Sequence, residues 1–492
     1  MSLPLTTENL AAIGAEVPVP SYDRSQVTPG IVHLGVGGFH RAHQAMYLDR
    51  LMNDGEALDW GIRGIGVLPH DARMKEVMDA QDGLYTLVLK DPDGSREPRV
   101  IGSILDFLHA PADPDAAIEA MADPRIRIVS LTVTEGGYNI DAVTGEFVLD
   151  EPGVAADLTD GAVPRTSFGL VTEALRRRRD RGVPAFTVMS CDNIQGNGHV
   201  ARKVFTTFAT AKDAELGAWI SENVRFPNCM VDRITPGTTD DDRAEVTDRF
   251  GIEDAWPVVC EPFVQWVLED DFGLGRPPYE DAGVQVVDDV EPYELMKLRL
   301  LNASHQALCY FGYLAGYRLV HDVAQDPLFA TFLLAYMERE GTPTLAPVPG
   351  IDLDAYRREL ISRFSNGEVR DTVARLCNES SDRIPKWLIP VIKEQIASGG
   401  EFFRAAAVVA SWARYAEGVD EQGEPIEVSD RIAERLVATA QKNRTDPTAF
   451  IADRSLFGDL ADDEGFVAEY TATLASLHAK GARATLEDLV AR

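Results

Sequence analysis

The chain has 492 residues, of which 45% are hydrophobic and 26% charged, and its formal net charge at pH 7 is −32. A chain of this length exceeds one ordinary hydrophobic core, so two domains are expected, and the composition is that of a globular protein. The strongly acidic balance argues against nucleic acid and anionic membrane as partners, because both require a basic surface.

Five cysteines lie far apart along the chain and form no Cys-x-x-Cys pair: Cys191, Cys229, Cys260, Cys309 and Cys377. This spacing predicts neither a disulfide framework nor a structural zinc site, and a cytoplasmic location fits it. The N-terminal segment has no basic region followed by an apolar core, so no secretory signal is expected. The longest mostly apolar run of the second half, 405–413, is too short to span a bilayer.

Residues 1–290 alternate apolar, β-rich runs with helical stretches. The main predicted elements are, in chain order, strand 31–34, helix 41–53 and strands 60–67, 126–133 and 185–189. Strands that alternate with helices are typical of a parallel α/β sheet. We therefore predict an α/β domain over this part of the chain.

A glycine-rich turn, Gly35-Val-Gly37-Gly38-Phe39-His40, joins the first predicted strand to the first helix. A dinucleotide-binding turn requires this context, since glycines let the backbone approach a pyrophosphate and a helix N-terminus favours its negative charge. The usual fingerprint has a third glycine where His40 stands, so the motif is a variant. An ordinary tight strand-to-helix turn is the alternative.

Asp71 lies just past the second predicted strand. A carboxylate at this place can accept hydrogen bonds from the adenosine ribose hydroxyls and repel a 2′-phosphate, which favours NAD over NADP. The alternative is an N-cap for a helix that begins at Ala72.

Beyond Pro292 the pattern changes to helices, with few strand candidates. The predicted helices cover residues 326–341, 354–364, 385–397, 401–416, 429–442 and 464–479. We therefore predict a mostly α-helical second domain over residues 291–492. Residues 271–278, rich in proline, aspartate and glycine, are a candidate loop between the two domains.

The helix expected after Pro292 carries four polar side chains on one side. These are Glu294, Lys297, Asn302 and His305. At about 100° per residue the four side chains share an arc of roughly 140°, in which several apolar residues also lie. A desolvated lysine beside an amide, an imidazole and a carboxylate suits metal-free proton transfer, because burial favours the uncharged amine. The alternative is a solvated stripe on an amphipathic helix.

Four sequence blocks stand in a fixed order along the chain: Gly35-Val-Gly-Gly-Phe-His-Arg-Ala-His43, Thr132-Val-Thr-Glu-Gly-Gly-Tyr138, Cys229-Met-Val-Asp-Arg-Ile-Thr-Pro236 and Lys297-x4-Asn302-x2-His305. Together they resemble the polyol-specific long-chain dehydrogenases, the mannitol dehydrogenase family. The resemblance covers residues 30–390. It argues against a solvated stripe around Lys297.

The resemblance implies an expanded Rossmann-type domain that binds NAD, residues 1–290, followed by a helical substrate and catalytic domain, residues 291–492. The cofactor contacts that it implies come from the first two blocks and from the end of the second strand: Gly35, Gly37, Gly38, Phe39, His40, Asp71, Glu135 and Gly136.

The chemistry implied by the resemblance is oxidation of a polyol secondary alcohol to a ketose, or the reverse, without a metal. Lys297 would be the general base, and Asn193 and Asn302 would donate hydrogen bonds to the reacting oxygen. His305 would orient a substrate hydroxyl, and Glu294 would relay protons between Lys297 and solvent. A turn role for Asn193 and an ordinary ion pair for Glu294 are the alternatives.

The resemblance defines the outer substrate contacts less closely. Asp232 would keep a polar channel open, or would form a structural pair with Arg233. Arg375 resembles a family arginine that reaches polyol hydroxyls. Family members carry a second cation after this arginine in the sequence. Arg383 is the preferred candidate for it in this chain, and Lys386 is the alternative.

The predicted substrate is D-mannitol, because segments 44–47 and 81–87 most resemble mannitol-specific members of the family. The alternatives are arabinitol oxidation and reduction of the uronates fructuronate or tagaturonate. A non-catalytic NAD-binding sensor is disfavoured because Lys297 and Asn302 are both present. A zinc enzyme is disfavoured because no closely spaced ligand set occurs. A small polyol or ketose is therefore the expected partner, and a monomer is the working expectation.

Overall fold

The computed structural model describes residues 2–141 and 145–492. The chain divides into two compact units, Met1–Glu291 and Pro292–Arg492. The first contains a parallel sheet and the second is built of helices, which confirms the predicted fold class. Residues 271–278 lie inside the first unit and not between the two, because the chain after them returns to pair in a sheet of that unit.

The described part of the first unit contains thirteen strands: β1 Leu3–Pro4, β2 Pro29–Leu34, β3 Gly61–Gly66, β4 Tyr85–Lys90, β5 Arg96–Ile101, β6 Ile104–His109, β7 Ile128–Leu131, β8 Thr187–Ser190, β9 Cys229–Asp232, β10 Ile252–Glu253, β11 Val258–Cys260, β12 Gln265–Glu269 and β13 Gln285–Val287. Five of them form a parallel sheet in the order β6-β3-β2-β7-β8. The strand order reverses between β2 and β7, because β3 and β6 extend the sheet on one side of β2 and β7 and β8 extend it on the other. Doubly wound sheets bind ligands at the carboxyl ends of the strands at such a switch point.

Strands β2, β7 and β8 of the main sheet are buried on both faces. In β2, Ile31 packs into one apolar cluster, whereas Val32 and Leu34 pack into another. Near-continuous apolar runs are the pattern of parallel strands covered by helices on both sides. The four predicted strands are confirmed as β2, β3, β7 and β8, with ends shifted by at most two residues.

Three smaller sheets complete the first unit, with strand orders β11-β4-β5, β13-β12-β9 and β1-β10. No strand is predicted from the sequence over these residues. Most of these strands are only two to five residues long, and a run that short carries little periodicity.

The helices of the first unit are α1 Leu10–Ile13, α2 Gly38–Ala42, α3 Gln44–Asn53, α4 Ala72–Ala80, α5 Pro114–Ala122, α6 Pro152–Leu158, α7 Ser167–Asp180, α8 Asn197–Lys212, α9 Ala214–Asn223 and α10 Asp240–Phe250. Short 3-10 turns cover Thr7–Asn9, Arg24–Gln26, Pro69–Asp71, Glu135–Tyr138 and Tyr279–Ala282. The predicted helix 41–53 is interrupted at His43, whose φ of −125° and ψ of −92° are not helical.

The helices of the second part are α11 Glu291–Met296, α12 Ala303–Leu314, α13 Val320–Gln325, α14 Pro327–Tyr336, α15 Leu353–Phe364, α16 Val373–Cys377, α17 Ser380–Trp387, α18 Ile389–Ser398, α19 Phe403–Tyr415, α20 Ala433–Ala440, α21 Arg454–Phe457 and α22 Glu464–Val490, with 3-10 turns at Thr342–Thr344 and Leu460–Asp462. Helix α19 is buried from Arg404 to Tyr415 and packs against α12 and α22. Its apolar run therefore forms the centre of this unit. Within the described ranges, no helix is long and apolar enough to cross a membrane.

Two π-helical segments, Lys297–Asn302 and Met337–Gly341, interrupt the predicted α-helices. A π-helix bonds residue i to i+5 and takes roughly 4.4 residues per turn, against 3.6 in an α-helix. The Tyr336 hydroxyl donates to the Arg299 carbonyl at 3.0 Å, so a side chain from α14 supports the first segment.

Candidate functional site

The glycine-rich turn between β2 and α2 packs directly on the segment that follows β7. Gly35 has a φ of +91°, and an added Cβ would lie 2.2 Å from the carbonyl oxygen of Thr132, so glycine is required. At Gly37 and Gly38 an added Cβ would meet its nearest non-neighbouring atoms at 4.0 Å and 3.6 Å. The described residues therefore leave an open cradle at these two glycines, which is the room that a pyrophosphate needs.

A buried histidine fixes this turn from inside the sheet. His33 in β2 lies with Nδ1 2.7 Å from Ser130 Oγ and Nε2 2.8 Å from Thr132 Oγ1. The Thr132 hydroxyl donates to the Gly35 carbonyl at 2.6 Å, so it must accept from Nε2–H of the histidine. Because burial disfavours the charged imidazolium, the ring is uncharged and Nδ1 accepts from the Ser130 hydroxyl.

His40, a predicted cofactor residue, stacks on His33 with ring centroids 3.4 Å apart. Its Nδ1 lies 3.3 Å from Gln44 Oε1, and Gln44 Nε2 lies 3.0 Å from His43 Nδ1. The ring of Phe39 stacks on His43 at 4.9 Å. Burial lowers the pKa of His33 to about 3 and the pKa of His40 well below its ordinary value. Two uncharged, stacked imidazoles therefore support the turn.

The burial of His33 predicts a pH-dependent stability of the first unit. The unfolded chain protonates this imidazole below about pH 6.5, but the folded chain does so only near pH 3, so the free energy of unfolding falls as the pH drops through that window. We expect His33 alone to contribute a slope of about 1.4 kcal/mol per pH unit, which His33→Gln removes. Urea unfolding at several pH values measures the slope. His70→Gln, at an exposed imidazole, is the control, and an unchanged slope in His33→Gln would contradict the prediction.

Asp71 ends the 3-10 turn that follows β3. Its Oδ2 accepts a hydrogen bond from the Leu68 amide at 2.9 Å, and its Cβ lies where Gly66 leaves room for it. Asp71 occupies the N-cap position of α4, as the alternative has it, but its carboxylate bonds back to the Leu68 amide and makes no cap hydrogen bond into the helix. Its interaction with ribose hydroxyls stays a prediction.

The turn after β7 carries Glu135 and Gly136, both exposed. The buried carboxylate of Asp192, which follows β8, accepts hydrogen bonds from the amides of Val133 and Thr134 at 3.1 Å and 2.7 Å. Burial raises the pKa of Asp192 to about 6, although these hydrogen bonds oppose the rise. This aspartate is not among the residues predicted from the sequence, although its position directly before Asn193, a predicted donor, was a usable signal.

Asn193 is half-buried in the bend after β8, and Asp232 is the buried last residue of β9. Arg233 donates to the carbonyls of Glu261 and Ala42, at 3.0 Å and 2.6 Å. This side chain therefore ties the end of β9 to α2, the helix that begins in the glycine turn. The first unit thus brings its predicted cofactor residues and the Asp192–Asn193 pair to the carboxyl edge of the main sheet.

The predicted catalytic residues of the second part lie on the first π-helical segment and the helices beside it. Glu294 is in α11, Lys297 and Asn302 begin and end the π segment, and His305 is in the first turn of α12. The side chains of Glu294, Lys297 and Asn302 are buried, which a solvated stripe would not show. Over five residues, a π-helix rotates about its axis by one full turn and roughly 50° more, whereas an α-helix rotates by one full turn and roughly 140° more. Lys297 and Asn302 therefore project in more similar directions than an α-helix would give them.

Asn302 Oδ1 is buried and accepts no hydrogen bond from any residue that the structure describes. Buried amide groups are normally paired, so this oxygen is open to a hydrogen bond from a bound group. His305 is half-buried and packs on Phe364 with ring centroids 4.4 Å apart, which fixes the imidazole. Arg299 anchors the same segment through two hydrogen bonds to Glu394, at 2.8 Å and 2.7 Å.

The candidate cations lie on α16 and α17. Arg375 is half-exposed and paired with Asp371, Nε to Oδ1 at 2.6 Å. Arg383 is half-buried and donates to the Leu376 carbonyl at 3.0 Å, whereas Lys386 is exposed. Because Arg383 is tied to the helix that bears Arg375, its position favours it over Lys386 as the second cation.

The five cysteines are buried, free thiols. Over residues 2–141 and 145–492, no cluster of three or more histidine, cysteine, aspartate or glutamate side chains is arranged to hold a metal. The chemistry-bearing groups are a buried lysine, amides, imidazoles and carboxylates. Such a set can take a proton from an alcohol and stabilise the charge left on its oxygen.

Two family models match the chain, the Mannitol dehydrogenase Rossmann domain over residues 29–281 and the Mannitol dehydrogenase C-terminal domain over residues 289–478. The Mannitol 2-dehydrogenase of Phaeosphaeria nodorum is 47% identical over 489 residues, which are 99% of this chain and 85% of that relative. The Pseudomonas fluorescens mannitol 2-dehydrogenase ternary complex with NAD and D-mannitol matches at a TM-score of 0.93 and 48% identity, over 100% of both chains. A D-sorbitol dehydrogenase in substrate-free form matches at a TM-score of 0.89 and 40% identity, over 98% of this chain and 100% of the other.

Proposed function

We propose that this chain, which belongs to the mannitol dehydrogenase family, oxidises D-mannitol to D-fructose with NAD and also catalyses the reverse reaction. The observation that carries the proposal is the likeness, over both whole chains, to a mannitol 2-dehydrogenase bound to NAD and D-mannitol. The free thiols suit a reducing compartment, so we propose a cytoplasmic enzyme.

The first unit fits a dinucleotide at the carboxyl edge of its main sheet. The cradle at Gly37 and Gly38 would take the pyrophosphate, and Asp71, whose Oδ1 takes no part in the bond to the Leu68 amide, would accept the ribose hydroxyls. Glu135 stands in the turn across the switch point. When bound, NAD supplies the acceptor for the hydride that leaves the alcohol carbon.

In this proposal Lys297 is the general base that takes the proton from the reacting hydroxyl. Its burial supports the role, because burial favours the uncharged amine that can accept a proton. Asn193 and Asn302 donate amide hydrogens to the reacting oxygen and stabilise the negative charge that grows on it. Glu294, three residues before the lysine, passes the proton on to solvent, and His305 orients a neighbouring substrate hydroxyl.

The outer contacts are assigned here to a neutral polyol. A carboxylate substrate requires a cation free to pair with it, and the charge of Arg375 is already balanced by Asp371, so Arg383 is the cation that a uronate would need. With mannitol, Arg375 and Arg383 bind hydroxyl groups in this proposal, and Asp232 keeps the access to the site polar. D-Sorbitol is the second candidate substrate, because a relative with 40% identity is a D-sorbitol dehydrogenase.

An assay of NAD reduction over mannitol, sorbitol, arabinitol, mannonate and altronate tests the proposal. We expect the highest kcat/KM with mannitol, fructose as the product, and NAD preferred to NADP. Faster turnover of mannonate or altronate would replace the polyol assignment with a uronate one. A preference for NADP would contradict the role given to Asp71.

The cradle predicts that Gly37→Ala weakens cofactor binding without harming the fold. The methyl group has room in the described surroundings, so the melting temperature should stay close to that of the wild type. The same methyl would occupy space needed by the pyrophosphate, and we expect NADH affinity to fall about tenfold or more, measured by fluorescence titration. Gly273→Ala is the matched control, since its Cβ would meet a neighbour at 3.6 Å and its amide bonds to Thr187 at the opposite end of β8. Equal NADH affinity in both variants would contradict the prediction.

A further inference from the structure

We propose that Asp192 is a positioning residue that holds the turn after β7, residues 132–138, in the conformation that the cofactor requires. This inference rests on the proposed function, because it assigns the turn to the bound dinucleotide. It concerns a residue that the family motif and the mechanism above leave without a role.

The Asp192 carboxylate is the centre of the hydrogen bonds that shape this turn. Oδ1 accepts from the Thr134 amide at 2.7 Å, and Oδ2 accepts from the Val133 amide at 3.1 Å and the Tyr138 hydroxyl at 2.8 Å. The Tyr138 hydroxyl also lies 2.6 Å from Ser190 Oγ, at the end of β8. Both carboxylate oxygens are therefore committed to one short segment of chain.

The turn needs such an anchor because its backbone is strained. Thr134 has a φ of +67° and a ψ of 165°, a region that is essentially restricted to glycine, and threonine is β-branched. Asn139, which ends the turn, is in the left-handed region with a φ of 48°. Residues in these regions persist only where the surrounding structure over-determines them, and here the carboxylate supplies that constraint.

The strained turn carries the two exposed residues that are predicted to contact the cofactor, Glu135 and Gly136. The anchor itself is rigid, because the Asp192 carbonyl accepts from the buried amide of Asn197 at 3.1 Å. Asp192 also immediately precedes Asn193, the proposed donor to the reacting oxygen. One buried residue thus sets the end of β8 and the turn after β7 relative to each other.

The test is Asp192→Asn, which keeps the side-chain volume. An amide offers one oxygen, so its NH2 group faces an N–H or O–H donor whichever way it is turned, and the turn loses part of its anchor. We expect the NADH dissociation constant, measured by fluorescence titration, to rise about 10- to 100-fold. The KM for NAD should rise by a similar factor, whereas kcat at saturating NAD should change less.

A matched control separates positioning from general stability. Asp157 is also buried, and its carboxylate accepts from the Arg165 amide at 3.0 Å and the Thr166 amide at 2.8 Å, in a different loop of the first unit. Asp157→Asn should lower the melting temperature to a similar extent but leave the NADH dissociation constant at the wild-type value. An equal rise in both variants would overturn the proposal.

A rescue experiment tests the role of strain directly. Glycine adopts the Thr134 conformation freely, so Thr134→Gly in the Asp192→Asn background should recover part of the lost NADH affinity. If Asp192→Asn fails to fold, Tyr138→Phe, which removes one of the three donors, should still raise the dissociation constant about threefold. If the wild type oxidises mannitol and the variants bind NADH as tightly as the wild type does, this inference is overturned and the proposed function is not. A wild-type chain that binds no NADH overturns the proposed function together with it.

Discussion

Replacing Lys297 with alanine is expected to lower kcat for mannitol oxidation by roughly 10³- to 10⁴-fold, because the variant loses the group that takes the proton from the reacting hydroxyl. NADH affinity should stay near the wild-type value, since the cofactor contacts are assigned to the first unit. Steady-state assays and NADH titration measure the two quantities. Lys297→Arg should be equally inactive, because a guanidinium does not give up its proton.

Two controls make the Lys297 result specific. Lys90 is also buried, where it pairs with Asp242 at 2.7 Å, so Lys90→Ala should reduce stability but preserve the turnover of folded protein. Small primary amines added to Lys297→Ala should restore part of the activity in proportion to their unprotonated concentration. Turnover of Lys297→Ala within threefold of wild type would remove this residue from the role of base.

Much of the fold could be predicted because it follows from local patterns. Strands buried on both faces leave apolar runs, so β2, β3, β7 and β8 were visible within two residues of their ends. The tight turn at Gly35 could be predicted for a different reason. Its φ of +91° and its approach to the Thr132 carbonyl exclude any other residue, so a glycine motif in that context predicts a tight turn.

The π-helical segment Lys297–Asn302 could not be predicted in this way. A helical wheel assumes one fixed rotation per residue, and the i to i+5 bonding is supported by tertiary contacts, such as the hydrogen bond from Tyr336 to the Arg299 carbonyl. The burial of Glu294, Lys297 and Asn302 was therefore predicted correctly, but the angular arrangement of their side chains was not.

Asp192 and His33 were missed because their partners are distant in sequence. Asp192 binds amides that lie 58 and 59 positions away, and His33 binds hydroxyls 97 and 99 positions away. From the sequence alone, Asp192 looks like any polar residue that follows a strand, and His33 looks like any residue inside a buried strand. Only the sheet topology, which sets β2, β7 and β8 side by side, reveals what they hold.

Replacing Asn302 with alanine is expected to lower kcat by roughly 10²- to 10³-fold, the usual cost of removing one donor to a developing oxyanion. Asn302→Asp should be slower still, since it sets a negative charge where negative charge develops in the reaction. The KM for NAD should not change in either variant. Initial-rate kinetics at saturating NAD, with mannitol as the varied substrate, measure the effect.

Asn443 provides the matched control for Asn302, because it too is a buried amide of the second unit. Its Nδ2 donates to the Ala413 carbonyl at 3.1 Å and to Glu417 at 3.0 Å, so Asn443→Ala should cost stability and leave kcat unchanged. Both asparagines have a buried Oδ1 without a partner among the described residues, so the two amides are matched in that respect and differ in their place: Asn302 ends the π segment, whereas Asn443 Nδ2 is bonded to Ala413 and Glu417. A fall in kcat without a fall in melting temperature would therefore mark Asn302 as a group that acts on substrate, whereas the opposite pattern would assign it to packing of the π segment.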